Sequence, residues 1–281
     1  MSRTLRRPAP GVLPGDAASD EAIRGHWQDV AGHWRDNRPE RLWRSHADRV
    51  NADWLAARLP ARPVERLLKT DLFDEAATGG LYPLLSRHAR LVVGMDLSST
   101  TARGAGLNAR GLAATCADAR ALPFADASFD IIVSNSTLDH FPTARELDVS
   151  LLELRRVLKP GGELLISLDN RMNPVVALRN AIPFHWLRRL RIMPYYVGFT
   201  CGPAGLRKRL ERDGWEILDA GAILHCPRFL SIHATLFLER WASPAVQQRF
   251  TRWLAGFERL AGWPTRYFTG CFVTARAVRR A

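Results

Sequence analysis

The sequence predicts an α/β protein built around a mostly parallel β-sheet. From residue 66 onward, short apolar runs alternate with amphipathic stretches, a pattern typical of successive strand–helix–strand units. Five such runs are predicted strands, at residues 66–70, 90–96, 113–117, 129–134 and 163–169. Two later apolar runs, at 215–224 and 271–278, predict two further strands.

The chain before the sheet is predicted to be helical after a flexible start. Residues 1–20 are rich in Pro, Gly, Ala and Arg and show no periodicity, which predicts a tail. In residues 21–62 apolar side chains recur at helical spacing on both sides of Pro39, which predicts an N-terminal cap of two helices. The tryptophans of this cap are expected to anchor a core rather than to contact a ligand.

Residues 63–281 are predicted to form the main domain. Its clearest helix ends at Leu158, where Pro160 and the two following glycines stop it. Further helices are predicted at 203–213 and 244–261. A basic insertion is predicted at 170–202.

The composition is that of an ordinary globular protein. The 281 residues are 47% hydrophobic and 24% charged, which suits one principal domain. The four cysteines are far apart, so neither a disulfide framework nor a metal site is expected. The longest apolar run, around residues 229–238, is too short to span a bilayer, and no secretory leader is visible. We therefore expect a cytoplasmic protein.

The net charge of +12 lies entirely in the last part of the chain. Residues 1–169 hold 22 basic and 22 acidic side chains, whereas residues 170–281 hold 18 and 6. Because a basic surface attracts polyanions, peripheral membrane contact through the C-terminal region is an open alternative. Nucleic acid is not expected as a partner, since no RNA-binding motif is visible. A GC-rich genome would explain part of the arginine excess equally well.

Asp96 is the first candidate ligand-binding residue, because it closes the second predicted strand. In doubly wound sheets ligands bind at the carboxyl ends of the strands. A carboxylate at that position can accept hydrogen bonds from both hydroxyls of a ribose. An Asp after a strand is equally often a helix N-cap, so this residue alone decides little.

Two motifs resemble those of one known family. Residues 117–130, ADARALPFADASFD, resemble its D-A-x-x-L-P-F-x-D-x-S-F-D segment, and residues 158–162 match its L-K-P-G-G turn. The matching stretch covers about residues 64–170 in the expected order. The chain therefore resembles class I S-adenosylmethionine-dependent methyltransferases of type 11, which are related to the ubiquinone and menaquinone enzymes.

The resemblance implies a Rossmann-like class I methyltransferase fold, with a mostly parallel twisted sheet, an antiparallel last strand and, here, added N-terminal helices. It implies S-adenosyl-L-methionine as the cofactor and methyl transfer to an oxygen, nitrogen or carbon of a small-molecule or lipid-like acceptor. Asp118 is implied to hold the adenine amino group. The residues implied to contact the cofactor along these strand ends are Asp96, Leu97, Asp118, Ala119, Ser134 and Asn135.

The loop after the first strand departs from the family pattern. Family members place an acidic residue and a glycine-rich loop there, because glycine lets the backbone approach the methionine part of the cofactor. Here only Gly79 and Gly80 remain, after Asp71, Asp74 and Glu75. Either one of the three acids grips the cationic amino group and sulfonium, or cofactor binding is weakened and the chain is a non-catalytic relative.

His140 and Asp139 are the candidate catalytic residues. They follow the fourth strand, which in similar enzymes faces the methyl group. His140 titrates near neutrality and could remove a proton from a hydroxyl acceptor, with Asp139 beside it. The alternative is that both residues cap a helix and orient the loop.

The acceptor is expected beyond the fifth strand, in the C-terminal part. Residues 175–193 combine apolar side chains with arginines and are predicted to be a lid on the acceptor side, with a membrane-surface helix as the alternative. Helix capping is an alternative for several of the candidates. The candidate acceptor-binding residues are Asp169, Asn170, Arg171, Asn173, Tyr195, Tyr196 and His225.

Other classes of function are less favoured by the sequence. A non-catalytic binding protein on the methyltransferase fold is the main alternative, and loss of cofactor binding would identify it. An RNA methyltransferase is a weaker one. A dehydrogenase is disfavoured because the G-x-G-x-x-G fingerprint is absent from the sequence.

Overall fold

The structure is a computed structural model that describes residues 20–36, 41–189 and 196–280. The helices are α1 (Asp20–Asp36), α2 (Arg41–Ala56), α3 (Phe73–Ala77), α4 (Tyr82–His88), α5 (Ser99–Asn108), α6 (Ala144–Val157), α7 (Pro174–Ala181), α8 (Phe184–Arg189), α9 (Pro203–Arg212), α10 (Arg228–Trp241), α11 (Pro244–Ala255) and α12 (Arg266–Thr269). The strands are β1 (Val64–Lys69), β2 (Ala89–Asp96), β3 (Ala113–Cys116), β4 (Phe129–Asn135), β5 (Leu158–Asp169), β6 (Trp215–Ile223) and β7 (Phe272–Arg279). Short 3-10 helices cover Leu138–His140 and Gly256–Gly262.

The seven strands form one sheet in the order β3-β2-β1-β4-β5-β7-β6. Neighbours among β1 to β5 are parallel, whereas β7 is antiparallel to both β5 and β6. Leu68 of β1 lies opposite Val93 and Ile132, so the central strands are in close register and end at one edge. The predicted Rossmann-like α/β fold with an antiparallel last strand is confirmed.

Both faces of the sheet are buried, which explains the continuous apolar runs of its central strands. Leu67 packs on one side with α2, α4 and α5, and Leu68 packs on the other side with α6 and α9. Successive strand residues point to opposite faces, so one apolar run supplies both cores.

The helix before β5 begins with a capping box. The Thr143 hydroxyl accepts from the backbone N–H of Glu146, and the Glu146 carboxylate accepts in return from the backbone N–H of Thr143. The helix ends at Val157, and β5 begins at Leu158, where Leu158 pairs with Phe129. The predicted start of this strand at residue 163 was therefore wrong, because the Pro-Gly-Gly turn also belongs to the strand.

The C-terminal part differs most from the sequence prediction. Helix α10 was not predicted, and the helix predicted at 244–261 is α11 followed by a 3-10 helix. The predicted tail lies outside the described residues apart from its last residue, and the predicted domain boundaries stay predictions. Within the described part of the chain, no helix is both long and apolar enough to cross a bilayer.

Candidate functional site

A cavity of about 320 Å³ opens at the carboxyl ends of the parallel strands. One end is lined by residues at or just after the ends of β1 to β5, and the other is covered by α1, α2 and α10. The residues at the strand ends include Thr70, Asp71, Asp74, Asp96, Leu97, Asp118, Ala119, Asn135, Ser136, Thr137, His140 and Asp169. The residues from the covering helices include Ile23, Trp27, Val30, Trp43, Arg44, Ala47, Asp48, Arg228, Phe229, Ile232 and His233.

Asp96 lies at the end of β2 with its carboxylate fixed by two backbone amides. Its Oδ1 accepts from the N–H of Ser98 at 2.8 Å, and its Oδ2 accepts from the N–H of Leu72 at 3.2 Å. Burial, with Asp71 nearby, raises the pKa of Asp96 to about 7. The N-cap of α5 is Ser98, whose hydroxyl accepts from Thr101, so Asp96 is not the cap. Each carboxylate oxygen can still accept a further hydrogen bond from a ligand.

The loop after β1 is organised by a buried ion pair. Lys69 Nζ lies 2.8 Å from Glu75 Oε2, and both side chains are buried. Glu75 Oε1 accepts from the N–H of Leu81, so the pair joins β1, α3 and the start of α4. Burial alone would lower the pKa of Lys69, but Asp71 and Glu75 hold it above its usual value.

This ion pair removes Glu75 from the candidate cofactor contacts. Glu75 does not line the cavity, and neither do Gly79 and Gly80, which lie in the turn between α3 and α4. Gly80 has φ of +50°, and a Cβ there would lie 2.6 Å from the Glu75 carboxyl carbon. These three predicted residues therefore support the loop, whereas Asp71 and Asp74 face the cavity.

Asp71 and Asp74 belong to an acidic cluster with Asp48 of α2. Asp74 Oδ1 lies 3.3 Å from the guanidinium of Arg44, which also lines the cavity. Burial and the neighbouring carboxylates raise the pKa of Asp74 to about 8. Burial likewise raises the pKa of Asp48 to about 6. Neighbouring negative charges oppose the ionisation of each carboxyl group, and a bound cation would offset that repulsion. The cluster therefore favours a cationic ligand.

Asp118 lies on the cavity wall beside Ala119, but Arg120 already engages its carboxylate. Arg120 donates from Nη2 to Asp118 Oδ2 at 2.7 Å and from its backbone N–H to Oδ1 at 2.9 Å. Burial would raise the pKa of Asp118, yet these hydrogen bonds hold it below its usual value. Asp118 is therefore ionised, and its implied contact with adenine stays a prediction.

The predicted cofactor residues after β4 divide into two roles. Asn135 lines the cavity, and its Oδ1 accepts from the Ser167 hydroxyl at 2.6 Å. Ser134 is fully buried and lies off the cavity wall, where its hydroxyl accepts from Thr70 at 3.1 Å. Thr137, which the sequence did not single out, lines the cavity and lies 2.8 Å from the Thr70 hydroxyl.

The candidate base His140 lines the cavity, and its orientation is set by a backbone carbonyl. Its Nδ1 lies 3.1 Å from the carbonyl oxygen of Tyr196. Because a carbonyl only accepts, Nδ1 carries the hydrogen in the neutral ring and Nε2 is left as the acceptor nitrogen. The ring also packs edge-on against Trp27, with centroids 4.8 Å apart. This tautomer suits a general base.

Asp139 is fully buried and lies off the cavity wall. Its Oδ2 accepts from the backbone N–H of Asp169 at 2.7 Å and from the Ser136 hydroxyl at 3.1 Å. Burial raises its pKa. The nearest approach to His140 is 4.0 Å, from Oδ1 to Nε2. Asp139 therefore ties the loop after β4 to the end of β5, which is the orienting role left open by the sequence.

Asp169 lines the cavity at the end of β5 between two arginines. Arg179 Nη2 lies 2.8 Å from Oδ2, and Arg228 Nη1 lies 3.4 Å from Oδ1. Burial would raise the pKa of Asp169, but the two guanidinium groups hold it below its usual value. The carboxylate is therefore ionised and held by α7 and α10.

The other predicted acceptor residues do not line the cavity. Asn170 is buried and donates to the carbonyls of Tyr267 and Gly270, and Asn173 caps α7. Arg171 is exposed. Asn170 and Asn173 therefore have a structural role, because their side-chain amides donate hydrogen bonds to backbone carbonyls of the C-terminal segment.

The aromatic candidates also lie elsewhere. His225 is buried, with Nδ1 2.8 Å from the Thr269 hydroxyl and Nε2 3.0 Å from the Ala222 carbonyl, so both ring nitrogens are engaged in the core. Tyr196 contributes its carbonyl to His140 and lies outside the cavity lining. Tyr195 falls outside the described residues.

Sequence reasoning missed the covering helices as cavity walls. Trp27 and Trp43 line the cavity, although Trp43 also belongs to the buried core. From α10, Phe229 and Ile232 line it as well. A signal existed at 228–241, where apolar side chains recur at helical spacing.

Comparisons with known proteins agree with this geometry. Residues 76–166 match a family model described as a methyltransferase domain, so the match begins directly after Glu75. A malonyl-[acyl-carrier protein] O-methyltransferase of Herminiimonas arsenicoxydans is 33% identical over 156 residues, covering 52% of this chain and 56% of that protein. A demethylmenaquinone methyltransferase of Streptomyces avermitilis is 35% identical over 119 residues, covering 42% and 48%. The chain thus spans about half the length of these curated relatives.

The fold extends beyond that match. The crystal structure of the cyclase SpnF superposes with a TM-score of 0.54 at 22% identity, covering 84% of this chain and 81% of that one. A cyclase on this fold shows that the architecture alone does not dictate the reaction. The sequence matches carry the family resemblance. Residues 76–166 match a methyltransferase domain, and over this part the chain is similar to S-adenosylmethionine-dependent methyltransferases.

Proposed function

We propose that this protein transfers a methyl group from S-adenosylmethionine to a small-molecule or lipid-like acceptor. The observation that carries the proposal is the carboxylate of Asp96. It faces the cavity at the strand end where this fold binds ribose, and the backbone amides of Leu72 and Ser98 hold it in place.

The cofactor end fits such a ligand even without the usual glycines. Asp71, Asp74 and Asp48 concentrate negative charge beside the loop, which suits an amino group and a sulfonium. Gly94 on β2 leaves room for the loop, since a Cβ there would clash with a methyl carbon of Leu72. When bound, S-adenosylmethionine supplies a methyl carbon that carries a good leaving group.

The acceptor end supports an apolar substrate. Its walls come from Trp27, Trp43, Phe229 and Ile232, and Arg228 lies among them beside the ionised Asp169. The relatives named above act on an acyl-carrier-linked malonate and on demethylmenaquinone, which both join a polar reacting group to a larger carrier or apolar part. We infer that the acceptor of this protein likewise joins a polar reacting group to a larger carrier or apolar part.

The protein's own residues have three tasks in this reaction. The covering helices exclude water from the cavity, the strand-end residues align the two reactants, and His140 accepts the proton of a hydroxyl acceptor at Nε2. Asp139 holds the loop that carries His140, rather than exchanging a proton itself.

Calorimetric titration of the purified chain with S-adenosylhomocysteine and S-adenosylmethionine tests the proposal. We expect micromolar binding of both. Asp96→Asn is expected to weaken that binding at least about tenfold, because an amide cannot accept from both backbone N–H groups and from a ribose hydroxyl. Asp126→Asn is the matched control, since Asp126 is an exposed carboxylate away from the cavity lining.

A non-methylating protein on the same fold is the second candidate. The observation in its favour is that Lys69 and Glu75 occupy the loop where the family has an acidic residue and glycines. Absence of binding by a folded wild-type chain would establish this candidate. Unchanged binding by Asp96→Asn would instead reject the assigned cofactor position.

A further inference from the structure

Helix α10 presents most of its large apolar side chains to solvent and turns two hydroxyl side chains toward the protein. Ser231 and Thr235 are 2% and 0% exposed, whereas Leu230, Phe237 and Trp241 are 65%, 63% and 68% exposed. An ordinary surface helix buries its apolar stripe, so this arrangement is reversed. Contiguous exposed apolar surface of this kind marks a site of contact with a membrane or a protein.

The elements beside α10 extend the same character. Helix α11 contacts α10 and exposes Val246 and Trp253. Helix α7 exposes Val175 and Leu178, and it meets the start of α10 at Asp169, which binds an arginine from each helix. We call the exposed apolar residues of α10 and α11 the α10–α11 face: Phe229, Leu230, Leu236, Phe237, Trp241, Val246 and Trp253.

The charge around this face is mostly positive. Residues 228–255 contain four arginines and a single acidic residue, Glu239. The Glu239 carboxylate is turned toward α2, where it accepts from the N–H of Leu42 at 2.6 Å. Arg240 packs over the Trp241 ring, 5.0 Å from its centroid. The face therefore presents apolar and aromatic groups bordered by positive charge.

We propose that the α10–α11 face docks on an anionic lipid bilayer. Exposed Trp, Phe and Leu with interspersed arginines match the composition of interfacial helices, in which the rings enter the headgroup region and the guanidinium groups meet lipid phosphates. A second copy of the chain fits less well, because it would bring the same excess of positive charge to the contact.

The docking face also reaches the cavity. Phe229 and His233 are exposed to solvent and also line the cavity. Arg228 and Ile232 line the cavity beside them. A bilayer-bound protein would therefore hold this cavity wall at the headgroup level. The docking itself does not depend on the proposed methyl transfer, so it can be tested without cofactor or acceptor.

Flotation of the full chain with lipid vesicles tests the proposal. We expect binding to phosphatidylcholine vesicles that contain about 30 mol% phosphatidylglycerol, and at least about tenfold weaker partitioning to phosphatidylcholine alone. Phe237→Glu should lower partitioning to the anionic vesicles at least about tenfold, because it removes a ring that would enter the headgroup region and adds a charge that the anionic lipids repel. Leu107→Glu is the matched control, since Leu107 is 74% exposed on α5 and should leave flotation unchanged.

Because Phe237 is exposed, its replacement should leave the unfolding temperature of the chain unchanged, and Leu230→Glu provides an independent variant. Failure of the wild type to float, or equal flotation of wild type and both variants, would overturn the proposal. A dimer that Phe237→Glu dissociates, with no vesicle binding, would assign the face to a second copy and overturn it as well.

Discussion

The two ends of the cavity are built from different kinds of structure. The cofactor end is made of strand ends, where Asp96, Asp118 and Asn135 follow β2, β3 and β4. The proposed acceptor end is covered by α1, α10 and part of α2, which all lie outside the matched residues 76–166, and α2 also supplies Asp48 to the cofactor end. The sheet topology dictates the first end, whereas the second is built from helices that the family match does not cover. The family match therefore informs the cofactor end far more than the proposed acceptor end.

One part of the cofactor end departs from that pattern. Around the loop after β1, an ion pair between Lys69 and Glu75 is found where similar enzymes have a glycine-rich loop. A buried pair with further hydrogen bonds fixes a loop in one conformation, although it contributes little net stability. Asp71 and Asp74 are left facing the cavity.

The largest expected effect comes from breaking this pair. Lys69→Met leaves the Glu75 carboxylate buried without its counter-charge, which should lower the free energy of unfolding by about 3–5 kcal/mol. Urea titration followed by circular dichroism measures it. Because apolar groups often replace a whole buried pair at little cost, Lys69→Met with Glu75→Leu should recover much of the loss. No loss of stability in the single variant would show that the buried Glu75 carboxylate does not depend on Lys69 for its counter-charge.

The fold could be predicted from the sequence largely because both faces of the sheet are buried. That burial gave β1, β2 and β4 apolar runs with clear ends, whereas the edge strand β3 is only partly buried. The start of β5 was missed because Pro160, Gly161 and Gly162 signal a helix stop and a strand start equally well. Helix α10 was missed although its apolar side chains recur at helical spacing, and that spacing could not show that several of them point outward.

The candidate site was predictable only where topology decides it. The strand-end rule placed Asp96 and Asp118 at the cavity without any coordinates. It could not separate Glu75 from Asp71 and Asp74, because that choice depends on Lys69 reaching across the loop. His225 was chosen on position alone, and only its contacts show that it belongs to the core.

At the junction of the two ends, His140 should affect turnover without affecting the cofactor. If Nε2 accepts the acceptor's proton, His140→Gln should slow methyl transfer to a hydroxyl acceptor about 100-fold, since general base catalysis typically contributes that much or more. Binding of S-adenosylhomocysteine should stay within about twofold. Transfer of tritiated methyl groups in an acceptor screen measures the rate. An unchanged rate would return His140 to the purely structural alternative.

A substitution in the acceptor wall should have a smaller effect, which tests whether the two ends of the cavity bind their ligands independently. Ile232→Trp adds bulk to the acceptor wall on α10 and should reduce turnover of an apolar acceptor about tenfold, because overpacking costs roughly 1–3 kcal/mol. Affinity for S-adenosylhomocysteine should remain unchanged. Equal weakening of both ligands would mean that the ends are not independent.

The smallest expected effect is a pH dependence of the cofactor end. The carboxyls of Asp48, Asp96 and Asp74 have pKa values raised to about 6, 7 and 8, so the unliganded folded state retains protons that the unfolded chain has already lost. Stability of the unliganded chain should therefore fall as the pH rises from about 5 to 8.

Binding of a cationic ligand should show the opposite trend, because it favours the ionised carboxylates. Affinity for S-adenosylmethionine should rise a few-fold per pH unit between about 6 and 8, below the tenfold limit for one released proton, since the carboxyls titrate together. Calorimetry in buffers of different ionisation enthalpy measures the protons released. Asp74→Asn should flatten the upper half of this profile, because it removes the carboxyl with the highest pKa of the three. If the profile keeps its slope in that variant, the protons leave from another group and the acidic cluster does not grip the cation.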